Sequence, residues 1–307
     1  MIPSSSGTTQ PWGVPMKLGA AILAIGLIGI FALPAKAQSP APASPSPPPP
    51  GKAPVQAKTV PEFEAYQAVM AKSQDGDAME KAADDFSAKF PDSDLRVLVY
   101  RAVMHSFTSA GNSEKILETG LKVLSLDKDD PEALIGIAEV QGEHTAPTDL
   151  DRNQRMQQAM DNAQHALKTI DTDLAVPAGT AADKVDGYKR YLRSTAWAIV
   201  GTIQYKREQF PDAETSLRQS IDADPQEPDA VVILRLALAL DQQKKYPEAL
   251  EIANRAVDLT REDGELGKTA RYERGRLTGL IAAGGNSSAD GAPPTAAAPQ
   301  GAATPSH

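Results

Sequence analysis

One pattern of small and apolar residues occurs twice in succession in this sequence. Aligning Ala213 with Ala249 places Ile233 opposite Trp197, so the second copy follows the first by about one unit. The spacing is near the ~34 residues of a helix-turn-helix repeat, with a small insertion. This register predicts stacked helix pairs, and the first copy carries it on Trp197, Val200, Gly201, Phe210, Ala213, Leu217 and Pro225.

The small residues of the pattern explain how the two helices of one unit pack together. Gly201 and Ala213 in the first copy, and Ala237 and Ala249 in the second, allow the helix axes to approach closely. The larger apolar residues fill the space between neighbouring units, which then share one continuous core. The pattern therefore predicts an extended stack of helix pairs.

Helical periodicity continues on both sides of these two units. No window alternates with a period of two residues, so no sheet is predicted. The low aromatic content, 5%, is typical of a thinly packed helical body. The predicted helices cover Pro61–Ala71, Asp77–Phe90, Leu95–Ser109, Ser113–Leu126, Pro131–Gly142, Leu150–Ile170, Ala182–Arg207, Asp212–Ala223, Pro228–Gln243, Pro247–Leu259 and Gly264–Ala282.

The unit Ser194–Glu227 resembles the tetratricopeptide repeat (TPR) family, because Trp, Gly, an aromatic residue, Ala and Pro all stand at family positions. The unit Ala230–Asp263 is similar, and Val97–Asp130 fits at several positions. The resemblance covers roughly residues 60–280. It implies an all-α fold, an α-solenoid of antiparallel helix pairs that forms a TPR-like right-handed superhelix. A helical bundle without repeats is the alternative, although a bundle has no reason to repeat this register.

In the TPR family the first helices of the pairs line a concave face, and the resemblance implies where a partner would bind. The run Val231–Leu240 is apolar on nearly every side except Arg235, and surplus apolar area is typical of a binding surface. The alternative is that the final helix, Gly264–Ala282, folds over this surface as a cap. The implied partner-binding positions are Thr195, Ala198, Thr202, Tyr205, Val231, Leu234 and Leu238.

Some members of the family hold the terminal carboxylate of a partner with Lys, Arg and Asn at these inward positions. Here the corresponding residues are Ala198, Thr202, Leu234 and Leu238. That clamp is absent, so the resemblance does not imply a cytosolic adaptor for chaperone tails.

The N-terminal region has the features of an export signal. Met16 and Lys17 precede Leu18–Leu33, an uncharged apolar run, and an A-x-A site ends at Ala37. A short positive region and an apolar stretch below the ~20 residues of a spanning helix are typical of a signal peptide. We predict a signal peptide over 1–37 and export to the periplasm or cell envelope. An uncleaved anchor is the alternative, and either Met1 or Met16 is compatible with the start.

Two further segments have compositions that do not form a core. Residues 38–60 are dominated by Pro, Ala and Ser and are predicted to be a semi-rigid linker. Residues 283–307 are rich in Ala, Gly and Pro without periodicity, and a disordered tail is predicted there. The repeat domain is therefore expected over 61–282, between disordered termini.

The sequence contains no pattern that carries known chemistry. A net charge of −9 argues against a nucleic-acid surface, and the absence of cysteine removes disulfides and thiolate chemistry. Gly267-Lys268-Thr269 resembles the end of a phosphate-binding loop, but Glu262 stands where the first glycine is required. The four histidines do not have metal-ligand spacing. No cofactor, metal or catalytic residue is therefore predicted.

The resemblance predicts a non-catalytic scaffold of the bacterial cell envelope that binds a protein or peptide on its concave face. The alternative is a structural accessory subunit of an envelope assembly or secretion complex. An enzyme would need Glu139, Glu143 and Asp149 to be gathered by an inserted loop that folds back. Membrane contact is expected only through the N-terminal apolar segment, if that segment stays uncleaved.

Overall fold

The computed structural model of the protein describes residues 51–143, 145, 148–261 and 264–284. The predicted signal peptide, residues 38–50 of the linker and residues 285–307 of the tail lie outside this part of the chain. Within it there are eleven helices, and the only β-type contact is an isolated bridge between Val55 and Pro177. The helices are α1 (Val60–Met70), α2 (Gly76–Lys89), α3 (Leu95–Ala110), α4 (Ser113–Leu126), α5 (Pro131–Glu143), α6 (Arg152–Thr169), α7 (Ala182–Lys206), α8 (Phe210–Ala223), α9 (Ala230–Gln242), α10 (Tyr246–Asp258) and α11 (Glu265–Ala282).

The helices pack in the order of the chain. Each helix contacts the next one, most extensively within the pairs α3–α4, α5–α6, α7–α8 and α9–α10. Beyond the next helix, contacts reach only the second neighbour along the chain. This one-dimensional packing is characteristic of a solenoid, so the predicted α-solenoid with a TPR-like arrangement of helix pairs is confirmed.

The small residues of the repeat lie where the helices of a pair meet. Ala213, Ala237 and Ala249 are completely buried. A Cβ atom added at Gly201 would stand 2.7 Å from Cγ of Leu217, which is closer than real side chains approach. The glycine of the first copy is therefore required by the contact between α7 and α8.

The two copies of the pattern occupy equivalent places in the core. Ile233 is completely buried, and the partly buried Trp197 packs against the same apolar cluster. That cluster extends from α5 to α11, and a second cluster extends from α1 to α5 and includes Val69 and Phe86. The two clusters meet at α5 and at the half-buried Leu124 of α4.

The turn between the two helices of a pair has the same backbone in three units. Gly111, Glu208 and Lys244 all adopt positive φ, of 68°, 61° and 61°. In each turn the next residue donates its N–H to the carbonyl five residues earlier: Asn112 to Phe107, Gln209 to Gln204 and Lys245 to Leu240. The first unit places glycine at this position, and the two later units place residues for which positive φ is strained.

The described end of the predicted linker lies on the solenoid. Val55 accepts a hydrogen bond from Ala178 N and donates one to Val176 O, both 2.8 Å long. Lys52 forms an ion pair with Asp127, after α4. Residues 51–59, which we call the N-terminal strap, therefore run from α1 to the loop between α6 and α7. Among the helices of the described residues, none combines the length and apolar character needed to cross a bilayer.

Candidate functional site

The two layers of the solenoid differ in how closely their helices approach. The first helices α1, α3, α5, α7, α9 and α11 each contact the next first helix. In the described part of the chain, the second helices α2, α4, α6, α8 and α10 make no contact with one another. The layer with the shorter spacing lies on the inside of a curved stack. We call the exposed side of the first helices the inner face.

The predicted partner-binding residues all lie on α7 and α9, but they differ in exposure. Thr195, Tyr205, Val231 and Leu238 are partly exposed. Ala198, Thr202 and Leu234 are buried, and Leu234 is only 1% exposed. These three residues have almost no surface to offer a partner, because α7 and α9 pack side by side at these positions. The predicted surface is thus narrower than its seven positions suggest.

The final helix does not cover the inner face of α7. It packs on α10 and α9, and its Ala270 and Leu277 extend the core. It has no contact with α7. Helix α11 therefore takes the place of a further first helix beside α9, and Leu238 stays half-exposed.

The structure adds a feature to the inner face that the repeat pattern did not predict. Side chains of Arg, Glu and Asp recur on the first helices at buried positions, and the sequence analysis named only Glu139 and Arg235 among them. The charged residues of α3 and α5 were visible at helical spacing, but nothing in their spacing shows that they are buried. These buried charged residues are Arg101, Glu132, Glu139, Arg235, Asp241 and Glu273.

At one end of the inner face the buried charges are all paired. Arg101 of α3 forms an ion pair with Glu132 of α5 and lies 3.6 Å from Asp130. His105 Nε2 is 2.9 Å from the other oxygen of Glu132, and Tyr188 of α7 interacts with the same carboxylate. We call Arg101, His105, Asp130, Glu132 and Tyr188 the N-terminal cluster.

The pKa values of the two acids in this cluster move in opposite directions. Burial alone would raise the pKa of Glu132, but Arg101 and His105 hold it below the usual range. The pKa of Asp130 is raised, because burial and the neighbouring Glu132 outweigh the attraction of Arg101. The charged form of Glu132 is therefore stabilised, and the charged form of Asp130 is destabilised.

Further along α5, Glu139 is buried without a partner. It is 9% exposed, and within the described residues it has no hydrogen bond and no ion pair. Burial raises its pKa well above the usual range, and the negative charges of Glu143 and Asp229 raise it further. On α7, the pKa of Tyr191 is raised to about 12, first by burial and then by the charge of Glu139.

Arg235 of α9 is a buried cation on the inner face. It is 6% exposed, and its Nη1 donates a hydrogen bond of 2.6 Å to Oγ1 of Thr202. Burial lowers its pKa, while the fields of Glu143 and Asp229 partly restore it. In the described part of the chain, no carboxylate lies within ion-pair distance of its guanidinium.

At the far end of the inner face the charges are paired again. Arg276 of α11 binds Asp241 of α9 at 2.5 Å and Glu273 at 2.9 Å. These contacts raise the pKa of Arg276. The field of Asp241 also reaches Tyr205, whose pKa is raised mainly by burial. The inner face thus has paired charges at both ends and unpaired buried groups in the middle.

Asp149 of the loop after α5 is not among the charges that act on Glu139. Asp149 binds Arg155 Nη2 at 2.9 Å, whereas the charges that act on Glu139 are those of Glu143 and Asp229. No group of three or more His, Cys, Asp or Glu suited to a metal ion is found in the described ranges. His105 and His165 each contact a single carboxylate.

No family model matches the sequence, and no curated protein matches it. Among solved structures, the chain is similar to a thermophilic TPR protein of Thermus thermophilus, with 14% identity and a TM-score of 0.42. It is also similar to an assembly chaperone of RpL4 (residues 1–338), with 14% identity and a TM-score of 0.37. Each match covers 72% of this chain and 99% of the other chain.

Proposed function

We propose that this protein is a non-catalytic scaffold that binds a protein or peptide segment along the inner face of its solenoid. One observation carries the proposal: the charges at both ends of the inner face are paired, but in its middle Glu139 lies buried without a partner among the described residues, in a region with partly exposed tyrosine and apolar side chains. A buried polar group without a partner is costly in the free protein. A bound segment that supplies the partner recovers that cost.

The architecture suits this role for a general physical reason. Stacked helix pairs present a long surface that is already ordered, so little conformational entropy is lost from the scaffold on binding. Val231 and Leu238 supply apolar contact, and Thr195 and Tyr205 supply polar contact. An extended or helical peptide lying across α5, α7 and α9 would meet both kinds of side chain.

We further propose that the scaffold acts in the bacterial cell envelope. The support is the sequence pattern of residues 1–37, which is typical of an export signal. A fusion of residues 1–60 to a reporter that is active only outside the cytoplasm tests this, and an inactive reporter would contradict it. Mass spectrometry of the native N-terminus distinguishes cleavage after Ala37 from an uncleaved anchor.

The alternative proposal is a structural accessory subunit of an envelope assembly or secretion complex. Tyr272 of α11 favours it, since this aromatic side chain is 73% exposed at the open end of the solenoid. Around it, a Cβ atom added at Gly275 or Gly279 would meet no other atom within 4 Å. Recovery from the native envelope in fixed stoichiometry with one complex, abolished by Tyr272→Ala but retained in Leu238→Glu, would favour the subunit.

The scaffold proposal is tested by comparing two leucines with exposed surface, one in each layer of the solenoid. Leu238 is half-exposed on the inner face, and Leu121 is 60% exposed on α4. A photo-activated cross-linker placed at Leu238 is expected to capture a partner in the envelope, whereas one placed at Leu121 is not. Leu238→Glu should abolish that capture and leave the helical circular dichroism spectrum unchanged. Equal capture from both positions would contradict the proposal.

A further inference from the structure

Glu139 differs from every other buried acid in the described part of the chain. Glu80 binds two lysines, Glu62 accepts hydrogen bonds from Ser93 and from the backbone before α1, and Glu273 binds Arg276. The remaining buried acids, Asp130, Glu132 and Asp241, have the partners described above. Oδ2 of Asp130 accepts no hydrogen bond, but Asp130 keeps its ion pair with Arg101. Among the described residues, Glu139 is thus the one buried acid with neither a hydrogen bond nor an ion pair.

Glu139 of α5 interacts electrostatically with groups on α7 and at the start of α9. Helices α5 and α9 do not contact each other, yet the carboxylate of Glu139 is repelled by Asp229 at the start of α9. Its field also reaches Tyr191 on α7. Glu139 is thus a buried carboxylate without a hydrogen bond in the described residues, near both α7 and the start of α9.

The groups around Glu139 are suited to a positive charge. Glu143 stands one turn away on the same helix, Asp229 faces it from α9, and Tyr191 contributes an aromatic ring from α7. The two cations of this region are already engaged: Arg235 donates to Thr202, and Lys206 donates to the carbonyl oxygens of Gly142 and Glu143. A cation that entered would gain a charge-assisted hydrogen bond to Glu139 and, beside the tyrosine, a cation–π contact.

We propose that Glu139, flanked by Tyr191 and Asp229, forms a subsite for a lysine or arginine side chain of the segment bound along the inner face. This inference rests on the proposed scaffold function and names the chemistry of its partner, a basic peptide segment. The cation supplies the hydrogen-bond donor that Glu139 lacks among the described residues. Apolar residues of the same segment would lie against Val231 and Leu238.

The test uses the full chain and labelled peptides of defined charge. Fluorescence anisotropy is measured with oligo-lysine, oligo-arginine, oligo-glutamate and glycine–serine peptides of equal length. We expect the two basic peptides to bind and Glu139→Gln to weaken them by about tenfold or more, which is the loss of one charge-assisted contact. Because the chain carries a net charge of −9, basic peptides are also attracted non-specifically.

The matched control for that attraction is Glu118→Gln. Glu118 is on α4, its side chain is 46% exposed, and its removal changes the net charge by the same amount. Glu118→Gln should leave the affinity for basic peptides within about twofold. Equal weakening by both variants, unchanged binding in Glu139→Gln, or no preference of the wild type for basic peptides would each overturn the inference.

The experiments distinguish a failure of the cationic subsite from a failure of the scaffold function. If Leu238 still cross-links a partner in the envelope and basic peptides show no preference, only the cationic subsite fails. If neither position cross-links a partner and no peptide binds, the scaffold function fails with it. Thermal unfolding of Glu139→Gln, expected to be no less stable than the wild type, excludes misfolding as the cause of lost binding.

Discussion

At one end of α5, Glu132 is surrounded by Arg101, His105 and Tyr188, whereas Glu139, two turns further along the same helix, has no partner within the described residues. Both side chains are nearly buried and both lie on the inner face. The N-terminal cluster joins α3 and α5 through the ion pairs of Arg101 and His105 with Glu132, and Tyr188 of α7 interacts with the same carboxylate. The difference separates a charge that stabilises the fold from a charge at the proposed cationic subsite.

Breaking the N-terminal cluster should have the largest effect. Arg101→Ala is expected to lower the free energy of unfolding by about 3–5 kcal/mol, because Glu132 and Asp130 would remain buried without their cation. Urea denaturation followed by circular dichroism measures it. The matched control is Arg218→Ala, which removes exposed ion pairs to Glu214 and Glu248 and should cost less than about 1 kcal/mol. Similar losses in both variants would remove the distinction drawn above.

The next effect concerns the two leucines of α9. Leu234 is 1% exposed, so Leu234→Ala should cost about 2–5 kcal/mol, by lost burial and a cavity. Leu238 is half-exposed, and Leu238→Ala should cost clearly less while weakening partner capture. Chemical denaturation and cross-linking in parallel check both expectations. A larger stability loss at Leu238 than at Leu234 would contradict the assignment of Leu238 to the binding surface and of Leu234 to the core.

Glu139→Gln should have the opposite effect and raise the free energy of unfolding. Because the folded protein raises the pKa of Glu139, the folded state binds its proton more tightly than the unfolded state does. The stability from this group is fully present below the normal pKa of glutamate and is lost as pH rises through the raised pKa of the folded state. The variant removes that loss and should be more stable by about 1 kcal/mol or more at alkaline pH.

Stability curves measured across pH check this prediction. The difference between wild type and Glu139→Gln should be small in acid and grow as pH rises. Glu118→Gln, at an exposed position on α4, should run parallel to the wild type over the same range. A difference that grew toward acid would mean that Glu139 is paired in solution.

The smallest expected effect lies in the turns, where the first unit has Gly111 and the later units have Glu208 and Lys244. Glu208→Gly and Lys244→Gly should each stabilise the protein by about 0.5–1 kcal/mol, since glycine adopts positive φ without strain. Gly111→Ala should destabilise it by about 1 kcal/mol, although nothing lies within 4 Å of the added Cβ atom. Thermal unfolding of the three variants measures these shifts, and the same sign for all three would contradict the common geometry.

Much of the fold was predictable, because a repeated pattern shows which positions in one unit are equivalent to those in the next. The small residues at Gly201, Ala213 and Ala249 can lie only where helices approach closely, and the structure buries them there. Most predicted helices agree with the observed ones to within a few residues. The common turn was less visible, since Glu208 and Lys244 do not reveal a left-handed backbone as glycine does.

The binding surface was harder to predict, because its exposure depends on the spacing between first helices. A sequence pattern gives the side of a helix on which Leu234 lies, but the approach of α7 and α9 decides that this side is buried. The same applies to Glu139, whose position on α5 was clear and whose isolation was not. Its lack of a partner in the described part of the chain depends on α7 and α9, which follow it by dozens of residues.

The N-terminal strap changes how this solenoid responds to load. A stack with contacts only between neighbours peels open from its free end, one hairpin after another. Here the bridge from Val55 to Val176 and Ala178 joins the segment before α1 to a loop in the middle of the stack. A pull on the N-terminus is therefore borne in shear by the centre of the protein before α1 and α2 can be stripped away.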